Sequence, residues 1–112
     1  MTKYIHINKD GTKSYYVNNV LHREDGPAIE YTNGDKHWFK NGLCHREDGP
    51  AIEWYNGTKE WWQNVKLHRE DGPAREYYDG DKEWYLNHKC YGHDNNFTND
   101  SWQKFVKTLI FS

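Results

Sequence analysis

His22-Arg23-Glu24-Asp25-Gly26-Pro27-Ala28 recurs unchanged at residues 45–51 and 68–74, a period of 23 in both steps. Self-similarity of this kind decides the architecture before any residue is read for propensity. A second signature keeps the same spacing: Asp10-Gly11-Thr12-Lys13, Asn33-Gly34-Asp35-Lys36, Asn56-Gly57-Thr58-Lys59 and Asp79-Gly80-Asp81-Lys82. Two positions after each Lys comes an aromatic pair, Tyr15-Tyr16, Trp38-Phe39, Trp61-Trp62 and Trp84-Tyr85, and two residues later an Asn: Asn18, Asn41, Asn64 and Asn87. The chain thus holds a leading half-unit, three full units and a decayed fourth start at Tyr91-Gly92-His93-Asp94.

Asn-Gly and Asp-Gly supply the positive φ angles of a tight two-residue hairpin turn, so each is expected to be a hairpin tip. Strand-like runs flank the tips at 27–32 and 36–40, 50–55 and 59–63, and 73–78 and 82–86. Pro27, Pro50 and Pro73 have no N–H to donate and are expected to open their strands, with Glu-Asp-Gly-Pro as the second turn of each unit. Two strands per unit give an antiparallel meander of about eight strands. Alternation puts Tyr15, Trp38, Trp61 and Trp84 on one face, and Tyr16, Phe39, Trp62 and Tyr85 on the other. Aromatics on both faces do not suit a sheet with one solvated side. The expected fold class is mainly β: an antiparallel β-hairpin meander or solenoid of 23-residue repeats with a C-terminal α-helix, its rings stacking on their copies in neighbouring repeats.

At 112 residues the chain has about one domain's length. A mean hydropathy of -1.24 with 35% hydrophobic residues would suit disorder, but 17% aromatic residues argue for a core built of rings. Residues 1–94 form the repeat region. From residue 95 the pattern changes: capping residues precede Trp102, Phe105, Val106 and Leu109 at helical spacing, so 95–112 is expected to carry a capping helix, or a dimerisation or partner-binding one. A net charge of -2 excludes general nucleic-acid binding. The absence of a long apolar run argues against a membrane partner and for a cytoplasmic location.

The unit Glu60-Trp61-Trp62-Gln63-Asn64-Val65-Lys66-Leu67-His68-Arg69-Glu70-Asp71-Gly72-Pro73-Ala74-Arg75-Glu76-Tyr77-Tyr78-Asp79-Gly80 resembles the MORN-like "HREDGPA" repeats of tailed-phage and large-virus genomes. The resemblance covers Lys13 to about Asn87. It implies a β-hairpin array used for binding, assembly or membrane-proximal scaffolding, without an established catalytic site. His-Arg-Glu-Asp-Gly-Pro stands where ordinary MORN units carry a glycine-rich turn, so a lipid-binding role is not carried over.

Copies in successive repeats should lie about 10 Å apart, two strand spacings, which keeps His22, His45 and His68 from converging on a metal. The same ruler separates Cys44 from Cys90, two periods on, by far more than a disulfide spans, and leaves both thiols free. Neither a metal nor a cofactor is expected. Each His should donate to a backbone carbonyl. Arg23, Arg46 and Arg69 are expected either to pair with Glu and Asp in a ladder between repeats or to clamp an anionic ligand beside His45, His68, Trp38, Trp61, Trp62 or Trp84. Three near-identical copies are not the single asymmetric constellation an enzyme needs. The expected function is therefore a non-enzymatic binding protein, a small phage accessory or counter-defence factor that sequesters a host protein or a nucleotide-like signal. The alternative is a self-associating structural or assembly protein. A homo-oligomer is expected, because the aromatic surface exceeds what one short helix covers.

Overall fold

The computed structural model describes residues 2–111, with side chains as far as Leu109. The leading half-unit forms β1 (Lys3–Ile7), β2 (Lys13–Val17) and β3 (Val20–Leu21). The first full unit gives β4 (Ile29–Glu30), β5 (Lys36–His37), β6 (Phe39–Lys40) and β7 (Leu43–Cys44). The second gives β8 (Ile52–Glu53), β9 (Lys59–Glu60), β10 (Trp62–Gln63) and β11 (Lys66–Leu67). β12 (Arg75–Glu76), β13 (Lys82–Leu86) and β14 (Lys89–His93) follow, then a single 3-10 turn (Asp94–Asn96) and α1 (Asn99–Phe111). The first two full units thus have more and shorter strands than the two expected, because the second strand is interrupted at Trp38 and at Trp61 and each long hairpin splits into two pieces, whereas in the third unit β13 stays whole.

The inner pieces make one antiparallel meander, in the order β1-β2-β4-β5-β8-β9-β12-β13-β14. The outer pieces make the ribbons β6-β7 and β10-β11. The array extends 46 × 32 × 19 Å. Of the two architectures open from sequence it takes the long meander sheet, and no solenoid coil is present among the described residues.

Register follows from charge. Lys13, Glu30, Lys36, Glu53, Lys59, Glu76 and Lys82 lie opposite one another across seven successive strands, strictly alternating in sign. A one-residue slip in any pair would break the alternation and turn every side chain to the wrong face. The neighbouring row, on the other face, reads Ser14, Ile29, His37, Ile52, Glu60, Arg75 and Glu83. There the repeat is broken by Arg75 at the place of Ile29 and Ile52. Its Nη1 donates to Glu83 at 2.6 Å and its Nε faces Glu60 at 3.5 Å. Glu60 also accepts from the indoles of Trp54 and Trp62, both at 2.8 Å, so the buried carboxylate is well partnered.

The turns divide the positive φ angles differently from expectation. At the Asn-Gly tips only the glycine is left-handed, as at Gly34 (φ 101), while Asn33 accepts from the Asp35 N–H through Oδ1 at 2.9 Å. Tyr31 donates to the Asp35 carbonyl and Gly34 to the Tyr31 carbonyl, a turn followed by a glycine bulge and not a two-residue loop. The two-residue turns lie at Asn18-Asn19, Asn41-Gly42, Asn64-Val65 and Asn87-His88, where both residues have positive φ.

Among the described residues a compact hydrophobic cluster lies at the C-terminal end of the sheet. Trp84, Leu86, Trp102 and Val106 are buried, with Tyr91, Phe97 and Phe105 packed around them. Thr98 caps α1: its Oγ1 accepts from the Ser101 N–H at 3.1 Å while Ser101 Oγ accepts from the Thr98 N–H at 2.9 Å. The Trp102 indole donates to the Arg69 carbonyl at 2.8 Å, so the helix covers its own sheet. Leu109, 42% exposed, lines a surface cleft with Leu86, Tyr91 and Val106.

Val65 holds φ at 66° although it is β-branched, a conformation that costs about 1–2 kcal/mol for an L residue. Its side chain is half exposed, so little packing offsets that cost. Val65→Gly, which restores the Asn-Gly of Asn41-Gly42, should therefore raise stability by about 0.5–1 kcal/mol after the entropy cost of glycine. Urea unfolding measures it, and the midpoint should rise with an unchanged slope.

Candidate functional site

The repeated heptapeptide builds one object three times. In each copy the Arg guanidinium carbon lies over the aromatic ring eight residues earlier: Arg23 over Tyr15 at 3.9 Å, Arg46 over Trp38 at 4.0 Å and Arg69 over Trp61 at 3.9 Å from the ring centre. Its Nε donates to the Asp two residues on, at 3.0, 3.0 and 2.8 Å, and its Nη1 to the carbonyl of the following Pro at 3.1 Å. The glycine between them is required for space. A Cβ on Gly26, Gly49 or Gly72 would come within 2.9, 2.9 or 2.7 Å of the guanidinium carbon. Ala28, Ala51 and Ala74, which close the motif, are wholly buried.

The histidines join one repeat to the next. Nδ1 of His22, His45 and His68 accepts the backbone N–H of Asn41, Asn64 and Asn87 at 2.9, 3.1 and 3.0 Å. With Nδ1 accepting, the proton is on Nε2, which faces Glu24 at 2.7 Å, Glu47 at 3.3 Å and Glu70 at 3.1 Å. The expected donation to a carbonyl is thus reversed, because the next unit's turn presents an N–H there. At the hairpin tips the same linkage is made by Asp35 and Thr58, which accept from the Tyr55 and Tyr78 N–H groups at 2.7 and 3.2 Å.

The Arg-to-carboxylate bonds stay within one turn instead of running between repeats. Each arginine adds a partner on the strand that the same turn leads into, Glu30 at 3.4 Å, Glu53 at 3.9 Å and Glu76 at 3.5 Å. The hydrogen bond from Tyr15 to Glu30 pushes its phenol above the ordinary range, and Arg23 holds the Asp25 carboxyl below it. Rings do not stack on their copies. Among the described residues Tyr15, Trp38 and Trp61 each take an arginine as stacking partner, because an intervening strand separates each ring from the next copy.

Between successive turns lie two equivalent clefts. One, of about 430 Å³, is lined by Arg23, Glu24 and Asp25 on one side, Arg46, Glu47 and Asp48 on the other, with Trp38 and His45 between. The next, of about 470 Å³, repeats it from Glu47 and Asp48 to Arg69, Glu70 and Asp71, with Trp61 and His68. The arginine side chains are about one-fifth exposed and their Nε and Nη1 donors are held inside the chain, whereas the Glu and Asp side chains of the turns are 58–87% exposed. The turns therefore give both rims exposed carboxylates, and Lys40 adds a cation to the first cleft where the second has Gln63.

Of the candidate residues, Arg23, Arg46, Arg69, His45, His68, Trp38 and Trp61 thus come together along the clefts. Trp62 points to the opposite face, onto Glu60. Trp84 is only 1% exposed, its ring packed at a tilt against Trp102 and Phe97, and cannot reach a ligand; at the place of its arginine stands Gly92, and the C-terminal segment takes the ring instead. Trp102, Phe105 and Val106 belong to that cap. Among the described residues no group of His, Cys, Asp and Glu is arranged for a metal, and no helix is long and apolar enough to cross a membrane. Sequence reasoning passed over the Asn of each two-residue turn as a hydrogen-bond partner, although its constant spacing of 19 from the histidine was visible. It also missed the single-copy Glu60–Arg75–Glu83 group, whose signal was Arg75 in place of Ile. No family model, curated protein or solved structure matches the chain.

Gly49→Ala should lift Arg46 off Trp38 and lose about 1–2 kcal/mol, the stacking contribution plus one hydrogen bond. In the Arg46→Ala background the same change should cost almost nothing; a double-mutant cycle by thermal unfolding reads the coupling. Burial pushes the half-buried Cys44 thiol up to about 12, whereas Cys90 is exposed. A thiol reagent at pH 8 should therefore label Cys90 at once and Cys44 only on unfolding.

Proposed function

We propose that the protein is a non-enzymatic binding module that engages a protein partner through basic side chains received in the carboxylate-rimmed clefts between turns. The observation that supports this reading is the repetition of one cleft, with the same Trp, His, Glu and Asp positions and nearly the same volume but Gln63 in the second where the first has Lys40, beside carboxylates that keep most of their surface in water. A Lys or Arg entering there meets two turns' carboxylates and the edge of Trp38 or Trp61, an arrangement suited to charge-assisted and cation–π contacts. An anionic nucleotide-like ligand is the weaker reading, because Nε and Nη1 of each arginine are already engaged with Asp and Pro and the surrounding turn carboxylates repel an anion. The likeness of the repeats to those of tailed-phage genomes supports a host protein as the partner.

A panel of short peptides, basic, neutral and acidic, with a parallel panel of nucleotides, tests the reading by calorimetry and tryptophan fluorescence. Basic peptides should bind with an affinity that falls as salt is raised, and Glu47→Gln with Glu70→Gln should weaken them about tenfold, since both carboxylates border the clefts. Nucleotide binding without basic-peptide binding would overturn it.

A further inference from the structure

We infer that β1 is a self-association edge, through which two copies of this chain pair antiparallel into one continuous sheet about a two-fold axis at Ile5. This goes beyond the cleft reading and stands without it.

Among the described strands none lies on the outer side of β1, and all five of its residues are exposed. The Thr2 carbonyl and the Asn8 N–H both bond toward the β2 side, the first to the Asn18 N–H and the second to the Thr12 carbonyl. Backbone groups alternate along a strand, so those of Lys3, Ile5 and Ile7 point outward. The strand pairs with β2 through five consecutive partners, Lys3 with Val17 to Ile7 with Lys13, with no bulge. It has no proline, and Ile5 and Ile7 are 52% and 60% exposed. Such an edge is a template for another strand.

The far edge is blunted. β14 carries a bulge against Trp84 and Tyr85, begins at Lys89 and runs into the Asp94–Asn96 turn. Among the described strands β1 is thus the one five-residue edge without a bulge, so head-to-tail growth lacks a matching second surface, and pairing closes at two copies.

Charge then selects the register. Centred on Ile5, the axis sets Ile5 against Ile5 and Lys3 against the second copy's Ile7, so every outward N–H and C=O of the three residues finds a partner. Centred on His6, it would set Lys3 against Lys9 and lose a hydrogen-bonded pair. On the Ile5 register the isoleucines meet on the face of Tyr15, beside a cleft of about 770 Å³ lined by Lys3, Tyr4, Ile5, Tyr15, Tyr16 and Val17 with neighbouring turn residues. A five-residue edge is a small interface, so the dimer is a weak one.

Sedimentation equilibrium and amide exchange on the full chain test the inference. The mass should rise from 13.5 kDa toward twice that value between micromolar and millimolar concentration, while the amides of Lys3, Ile5 and Ile7 slow and those of Tyr4 and His6 stay unchanged. Ile5→Lys sets two lysines face to face and should weaken association about tenfold or more. Ile7→Glu, facing the second copy's Lys3, should preserve or tighten the dimer, whereas Ile7→Lys should weaken it. Both positions are exposed, so an unchanged melting curve of the dilute monomer separates loss of pairing from loss of fold. A single-chain mass at every concentration overturns the inference. So does a dimer indifferent to Ile5→Lys, or one that loses as much to Ile7→Glu as to Ile7→Lys.

Discussion

The arginine held between an aromatic ring and a glycine is the contact from which the array is built. A sheet only two residues wide at most of its strands buries little side-chain area, and the repeats contain no cluster comparable with the one under the helix. What fixes each HREDGPA segment is Arg46 lying on Trp38, with its fork engaged by Asp48 and the Pro50 carbonyl. Every member of the motif follows from that placement. Asp and Pro are the acceptors, Gly leaves room for the guanidinium, and Ala fills the small space at the strand start. The cation–π contribution is about 0.5–1 kcal/mol at an exposed site and about 2 when desolvated. These arginines, about one-fifth exposed, lie between those limits.

Fixing each turn also fixes where the next repeat must lie. The histidine beside the stacked arginine accepts an N–H from the following unit, and Asp35 or Thr58 does the same at the other side of the sheet. Neighbour-to-neighbour coupling of this sort is the general condition of repeat proteins and leaves their two ends as special problems. The chain meets the C-terminal end by dropping the arginine: Gly92 replaces it, Trp84 loses its cation, and Trp102 and Phe97 cover the ring. At the other end of the described array all five residues of β1 are exposed.

The period, the hairpin tips, the facing of the rings and the terminal helix were all legible in the sequence, because each depends on spacing alone. Which residue a ring would stack on was not legible. Spacing gives a face, and only the bend at Trp38 or Trp61 decides that the partner comes from eight residues later in the chain instead of from the next copy. The same limit explains the turns. Asn-Gly is compatible with a two-residue loop and with a turn plus glycine bulge, and the Asn33 side chain bonding to the Asp35 N–H goes with the second. Asn64-Val65 carried no glycine at all, yet it occupies the left-handed turn because Val65 donates its N–H to the Cys44 carbonyl of the preceding ribbon. Tertiary bonding overrides local preference there. At the candidate site the arginines, histidines and tryptophans were found by repetition, but their commitment to one another inside the turns, which leaves exposed carboxylates at the rims, needed coordinates.

Repetition also shapes what the clefts can do. Three turns enclose two equivalent clefts on a rigid sheet, so a partner with two basic side chains at matching separation gains from the second contact without a second loss of translational freedom. Pairing through β1 would double that number and place the two sets at a separation fixed by the continuous sheet. A partner that is itself a repeat or an oligomer would gain most from such an arrangement. Modest affinity per cleft, set by exposed carboxylates in high dielectric, is then no obstacle to tight capture. On the proposed reading, such weak single contacts would also make the hold on a partner respond steeply to the partner's valence and to salt.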